Sequence, residues 1–122
     1  MNHCNDFKYD LKIGQLGEEL LNDILQNKKI EVKRDSWVYK SGNIAIEYES
    51  RGKPSGIAKS EADYWSFIFS GGYEDEIIVI IKSSRLKKVC REYYKKGKVK
   101  SMGDNNTSKA VLIPITEILK YK

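Results

Sequence analysis

Four carboxylates stand on two short stretches whose apolar residues alternate: Glu31 and Asp35 on the first, Glu47 and Glu49 on the second. Strands disfavour Asp and Glu, and like charges side by side repel. Acids placed there point to a bound cation, and a divalent metal is the first candidate. A metal-dependent phosphodiesterase needs such a set, because Mg²⁺ takes a few carboxylates, keeps several waters and accepts substrate phosphate oxygens. The metal polarises the phosphate and activates a water for in-line attack. Two carboxylates one residue apart on a strand point the same way, about 7 Å apart, and Glu47 and Glu49 have this spacing. Asp35 on the neighbouring strand would close the site. A fourth acid from the preceding helix, Glu18 or Glu19, would hold a second metal or orient water.

Periodicity supplies the elements that must position these groups. Ile13, Leu16, Leu20, Leu21, Ile24 and Leu25 form one broad stripe and predict a helix over Leu11–Gln26. Gly14 and Gly17 sit in its opening turns. Each costs roughly 1 kcal/mol against Ala in a helix, which predicts a close approach by another backbone or a ligand. Glu18 and Glu19, on the shoulders of the stripe, are also expected near the helix N-terminus, where the dipole favours them. Lys29–Arg34 and Asn43–Ser50 alternate as strands, with the turn Ser41-Gly42-Asn43 before the second. The expectation is an antiparallel hairpin of these two strands with Ser36–Gly42 as its loop. Downstream, the pattern predicts a loop over Arg51–Ala58, strands at Tyr64–Phe69 and Glu76–Lys82 with Gly71-Gly72 between, and an amphipathic helix Arg85–Lys96 stopped by Gly97. A polar loop Lys98–Ser108, a strand Lys109–Ile115 and a terminal turn Thr116–Tyr121 complete the order. This is the order of a single α/β (α+β) domain over residues 1–122.

Composition narrows the class. The chain has 122 residues, eight Tyr and two Trp, enough for one folded core and too few for two. The polar N-terminus MNHCNDFKYD lacks a signal-peptide pattern, and the longest apolar run, Ile77–Ile81, is too short to span a bilayer. Two cysteines make no disulfide framework and no metal spacing, so a cytoplasmic, reducing setting is expected, with Cys90 in the core. The only histidine, His3, lies where a frayed terminus is expected, which leaves histidine-based nuclease chemistry and His/Cys zinc sites without residues. The net charge of +5 is unevenly spread: residues 1–81 carry 10 Lys and Arg against 14 Asp and Glu, and residues 82–122 carry 12 against 3. A protein that holds a cation and approaches a polyanion has this polarity.

An acid in a first helix, then Asp, then Glu-x-Glu on successive strands resembles the PD-(D/E)XK nuclease superfamily. The pieces that carry the resemblance are Gly14-Gln15-Leu16-Gly17-Glu18, Asp35, Ile46-Glu47-Tyr48-Glu49, and the segments SGNIAIEYESRGKPSGI and ADYW. These segments look like those of small phage-type and Holliday-junction-resolvase-like members, and the resemblance covers roughly Ile13–Phe69. It implies a restriction-endonuclease-like αβββαβ core, a mixed sheet flanked by helices, with one extra strand. It also implies Mg²⁺- or Mn²⁺-dependent hydrolysis of DNA phosphodiester bonds, with branched or junction DNA among the candidate substrates, in a bacterial or phage-infected host cell. Asp35 and Glu47, with Glu18, would be the metal ligands, and the Tyr48 carbonyl a further one. Glu49 stands where the family usually has Lys, and Arg34 where it has Pro. Glu49 would then act as general base if its pKa rises near the cluster, while Lys33, or else Lys53 or Lys59, would supply the missing ammonium. Glu31-Val32-Lys33 is a rival E-x-K match, but no acid stands on a strand before it.

The second half supplies a polyanion surface. Arg85, Lys87, Lys88, Arg91, Lys95 and Lys96, followed by Lys98 and Lys100, crowd one helix and its exit. A basic residue in a first helical turn opposes the dipole, and phosphate contact would offset that cost. DNA is therefore the expected partner, and a homodimer acting on two strands is expected of so small a nuclease. Trp37 and Tyr39 are expected to pack rather than to stack on nucleotides, and Trp65 to be core. Each feature has a plainer reading: Glu47 and Glu49 as the charged face of an edge strand, Asp35 as a turn residue. Two other functions fit the same residues, a non-catalytic DNA-binding module that retains the nuclease fold and a binding protein with an acidic face.

Overall fold

The structure is a computed structural model and describes residues 3–71 and 75–120. In chain order it runs α1 (His3–Asn27), β1 (Ile30–Asp35), α2 (Val38–Ser41), β2 (Asn43–Ser50), β3 (Lys53–Pro54), β4 (Tyr64–Ser70), β5 (Asp75–Lys82), α3 (Ser83–Lys95), β6 (Val99–Met102), β7 (Ser108–Pro114) and α4 (Ile115–Ile118). Short 3₁₀ turns lie at Gly56–Ala58 and Asp104–Asn106. The fold is mixed α/β, with a three-stranded mixed sheet ordered β1-β4-β5 and a four-stranded antiparallel sheet ordered β3-β2-β7-β6.

The expected hairpin of the first two strands does not form. β1 pairs with β4 in parallel, Ile30 opposite Tyr64 through Asp35 opposite Phe69. β2 pairs with β7, Ile44 opposite Ile113 and Ile46 opposite Val111. The segment between β1 and β2 is not a hairpin loop but a break between two sheets. Asp35 Oδ1 accepts the N–H groups of Trp37 at 2.8 Å and Val38 at 2.9 Å, and Gly42, at φ 72°, ends α2. The chain thus turns out of one sheet before it enters the other. The segment 98–108, read as loop, contains β6, which pairs with β7.

One buried cluster joins the sheets: Ile44 and Ile46 of β2, Trp65, Phe67 and Phe69 of β4, Val111 and Ile113 of β7, and Leu86, Val89, Cys90 and Tyr93 of α3. Trp65 and Cys90 are core residues as expected, and Gly97, at φ 75°, follows the end of α3. The ADYW segment ties the first sheet together, since Lys29 N–H donates to Asp63 Oδ2 at 2.9 Å and Asp63 N–H donates to Lys29 C=O at 2.9 Å.

Two expectations about the first helix change. α1 begins at His3, so Glu18 and Glu19 lie in its middle, away from the N-terminal dipole. A Cβ at Gly14 or Gly17 would meet nothing within 4 Å among the described residues, so no backbone of this chain makes the expected close approach. Trp37 is 68% exposed and Tyr39 is exposed as well, so the expected packing of Trp37 is not found. Tyr121 and Gly72, which fall in two predicted turns, lie outside the described residues.

Candidate active site

β1 runs beside β4 so that Lys33 lies opposite Phe67 and Asp35 opposite Phe69, on the side where β4 is buried. β2 enters from the other sheet with Ile44 and Ile46 buried, which turns the intervening Ala45 and the following Glu47 to its other face. The two strands meet at a cavity of about 240 Å³ lined by Lys33, Asp35 and Glu47, with Gly56, Trp65 and Phe67 among its walls. Asp35 uses one carboxylate oxygen to start α2 and keeps Oδ2 without a partner among the described residues. The Glu47 carboxylate makes no ion pair or hydrogen bond among them, while its backbone lies in the β2–β7 ladder opposite Ala110. Lys33 Nζ lies 5.9 Å from the centre of the Trp65 ring. The Trp65 indole N–H is buried and has no acceptor among the described residues.

The loop after β2 is shaped to this spot. Ser55 N–H donates to Tyr48 C=O at 3.0 Å, which occupies one side of the carbonyl expected as a metal ligand. Gly56 follows at φ 51°, and a Cβ there would overlap the Glu47 carbonyl oxygen. Only glycine lets the loop lie against the backbone of Glu47.

The E-x-E spacing does not deliver two acids to one face. A β-bulge separates Glu47, opposite Ala110, from Glu49, opposite Lys109, and Tyr48 is the extra residue. Glu49 Oε2 lies 3.3 Å from Lys109 Nζ and does not line the cavity. Glu18 stands on the exposed length of α1, as does Glu19. Among the described residues no three His, Cys, Asp or Glu side chains group as a metal site. The structure therefore unites Asp35, Glu47 and Lys33 and leaves Glu18 and Glu49 apart from them. The donor set suits Mg²⁺ or Mn²⁺ nonetheless, since Mg²⁺ is commonly held by one or two carboxylates and completed by water and phosphate oxygens.

Beside the site stand residues whose approach to it the spacing did not disclose. A second cavity of about 490 Å³ adjoins Asp35 and is lined by Arg34, Trp37, Asn43, Lys100 and Met102. Arg34 Nη2 donates to Ser70 Oγ at 3.4 Å and also lines the first cavity. Its signal was visible as a cation directly before Asp35. Trp37 follows from the way Asp35 caps α2, and the Lys40 ammonium lies 5.3 Å from its ring centre.

The basic helix is on another side. Consecutive residues of β2 diverge: Glu47 lines the cavity beside Asp35, and Tyr48 lines a groove of about 430 Å³ with Lys87, Cys90, Arg91 and Tyr94 of α3. Tyr48 and Tyr94 meet edge to face, 5.3 Å between ring centres. Burial, then Tyr94 and Glu49, raise the Tyr48 pKa against the opposing pull of Lys109. Burial pushes the Cys90 thiol up to about 12. Not every cation of α3 is available to a ligand. The Arg85 guanidinium donates to the carbonyls of Ile118, at 3.0 Å, and Lys120, and anchors α4. Lys96 sits 4.6 Å from the Tyr93 ring centre. Lys88, Arg91 and Lys95 recur at helical spacing on the exposed face, Lys98 follows the helix, and Lys100 is the one that reaches the neighbourhood of Asp35.

In comparisons with known proteins the chain matches no family model, no curated protein and no solved structure. No helix among the described residues is long and apolar enough to cross a membrane.

Proposed function

We propose that this protein is a divalent-metal-dependent DNA endonuclease of the PD-(D/E)XK kind, with Asp35 and Glu47 as metal ligands. One observation carries the reading: Lys33, Asp35 and Glu47, from two strands in different sheets, line one cavity with the Glu47 carboxylate unengaged. Mg²⁺ or Mn²⁺ held there supplies charge stabilisation at the phosphate and lowers the pKa of water. Lys33 adds a positive charge where the transition state gains negative charge. Arg34 and Lys100 flank Asp35 and offer contacts to neighbouring phosphates, and exposed Trp37 offers a stacking surface for a base. Lys88, Arg91 and Lys95 widen the electrostatic footprint without reading sequence.

The test is nicking of plasmid and of a branched DNA junction with Mg²⁺, Mn²⁺ or EDTA. Wild type cuts with metal and not with EDTA, while Asp35→Asn and Glu47→Gln, which keep size and hydrogen-bonding capacity, lose cleavage and keep DNA binding. A second reading, a DNA-binding module that retains the fold, has one observation in its favour. Glu49, at the position the family gives to Lys, is engaged by Lys109 outside the cavity. Salt-sensitive binding with no nicking under any metal selects that reading.

A further inference from the structure

We propose that α1 is the interface between two copies of this chain, paired antiparallel along Tyr9, Ile13, Leu16 and Leu20. Every residue from Phe7 to Asn27 is exposed except Ile24, so a helix of 25 residues stands almost clear of its own body. Eight of the large exposed hydrophobic residues belong to it, from Phe7 at 69% to Leu25 at 60%. A solvated helix does not carry such a load, because apolar patches of this size mark contact surfaces. At roughly 100 Å² each, the four side chains of the seam offer on the order of 400 Å² per chain, the apolar centre of a patch that flanking residues such as Lys12 and Glu19 widen toward the roughly 800 Å² a standard interface buries on each partner.

The occupant follows from the helix's own pattern. Tyr9, Ile13, Leu16 and Leu20 are spaced by four, three and four residues, the seam of a two-helix pair. Laid antiparallel on a second copy, Tyr9 meets Leu20 and Ile13 meets Leu16 across a twofold axis, a self-complementary contact. Lys12 and Glu19 then flank the seam at equivalent heptad positions, so each Lys12 faces the other copy's Glu19. Neither has an ion-pair partner in its own chain among the described residues. Ile24, one turn past Leu20, is the one residue between Phe7 and Asn27 buried by the chain's own body. The other stripe, Phe7, Leu11, Leu21 and Leu25, is interrupted by Gly14 and Glu18 at its centre and forms a poorer seam. The pairing goes beyond the nuclease reading and does not depend on it.

The experiment is sedimentation equilibrium of the full chain across the micromolar range. Wild type sediments at twice the chain mass. Leu16→Asp sediments as a monomer with the thermal unfolding of the body retained, since Leu16 is exposed in the single chain. Lys12→Glu and Glu19→Lys each weaken association about tenfold, because each turns two attractive pairs into repulsive ones. Mixing the two variants restores it, each chain now opposite its complement. A wild type that is monomeric throughout overturns the proposal, as does a dimer that survives Leu16→Asp. Charge variants that associate like wild type, or fail to rescue each other, overturn the antiparallel register.

Discussion

Glu47 and Tyr48 are neighbours in sequence, yet they face two regions built on opposite principles. On the Glu47 side, Asp35 and Glu47 from two sheets stand at a small cavity together with Lys33 and Arg34, and the Glu47 carboxylate has no ion-pair partner among the described residues. On the Tyr48 side, the groove under α3 is lined by an aromatic pair, the Cys90 thiol, Ile57, Ala58 and Val111, with Lys87 and Arg91. Stability explains the second region and not the first. A fold chosen for stability would pair Glu47 or replace it, because an acid on a strand costs free energy unless a cation meets it. The asymmetry sets the Glu47 side, with Lys33 and Asp35, apart from the aromatic groove on the Tyr48 side.

The sharpest contrast is in reactivity. Burial holds the Cys90 thiol at a pKa of about 12 against an ordinary 9.0. At about pH 8 its thiolate fraction is therefore about a thousandfold lower than in the unfolded chain. Alkylation read at the Cys90 peptide by mass spectrometry should be slower by that order in the native protein than in urea. The same shift has a sign for stability. The folded state favours the neutral thiol, so this contribution is complete below pH 9 and is lost as pH rises toward 12. Native labelling at the rate of the unfolded chain would show that the groove is open, and the comparison would fail.

Next in size is the split between Glu47 and Glu49. Glu47→Gln should lower the nicking rate on the order of a hundredfold or more, about 3 kcal/mol of transition-state stabilisation, with an unfolding midpoint close to wild type. Glu49→Gln breaks an ion pair with exposed Lys109, worth at most about 1 kcal/mol of stability, and should leave most of the cleavage. Equal losses in the two variants would mean that the bulge does not separate their roles. Gly56→Ala acts on the backbone beneath the same site. A methyl group overlapping the Glu47 carbonyl oxygen, at a φ of 51°, cannot be accommodated in place. Destabilisation of about 2–3 kcal/mol and a loss of nicking together are expected, measured by urea unfolding and plasmid assay.

These contrasts also show what the sequence could disclose. Alternation assigns Asp35, Lys33 and Glu47 to strand faces without tertiary knowledge, but the hairpin expected to bring them together is not what does so. The helix under Leu86 and Tyr93 and the strands starting near Tyr64 and Lys109 were legible from the same periodicities. Strand pairing was not. A local hairpin looked cheap, but Asp35 spends one oxygen on the N–H groups of Trp37 and Val38, turns the chain and sends β2 to a different sheet. The fate of Glu49 was hidden as well, because a bulge adds one residue and breaks the two-residue period on which the expectation rested. The exposure of α1 could not be read from its stripe, since an apolar face looks alike whether its own chain or another covers it.

The smallest effect concerns the outer face of the Tyr48 wall. Lys88, Arg91 and Lys95 lie on the exposed side of α3 and do not line the Glu47 cavity, whereas Lys100 lies beside Asp35. Neutralising the three helix cations together should weaken DNA binding alike for every sequence. It should also make the logarithmic salt slope shallower by about one for each phosphate no longer neutralised. Cleavage at saturating DNA should stay near wild type, because these charges position the polymer and do not touch the reacting phosphate. Lys100→Ala should show the reverse balance, a small change in salt slope and a clearer fall in the maximal rate. Measuring both quantities in both variants separates grip from chemistry. If the triple variant lowers the saturated rate while Lys100→Ala leaves it intact, the catalytic side of β2 is the α3 side, and the division between its two faces is reversed.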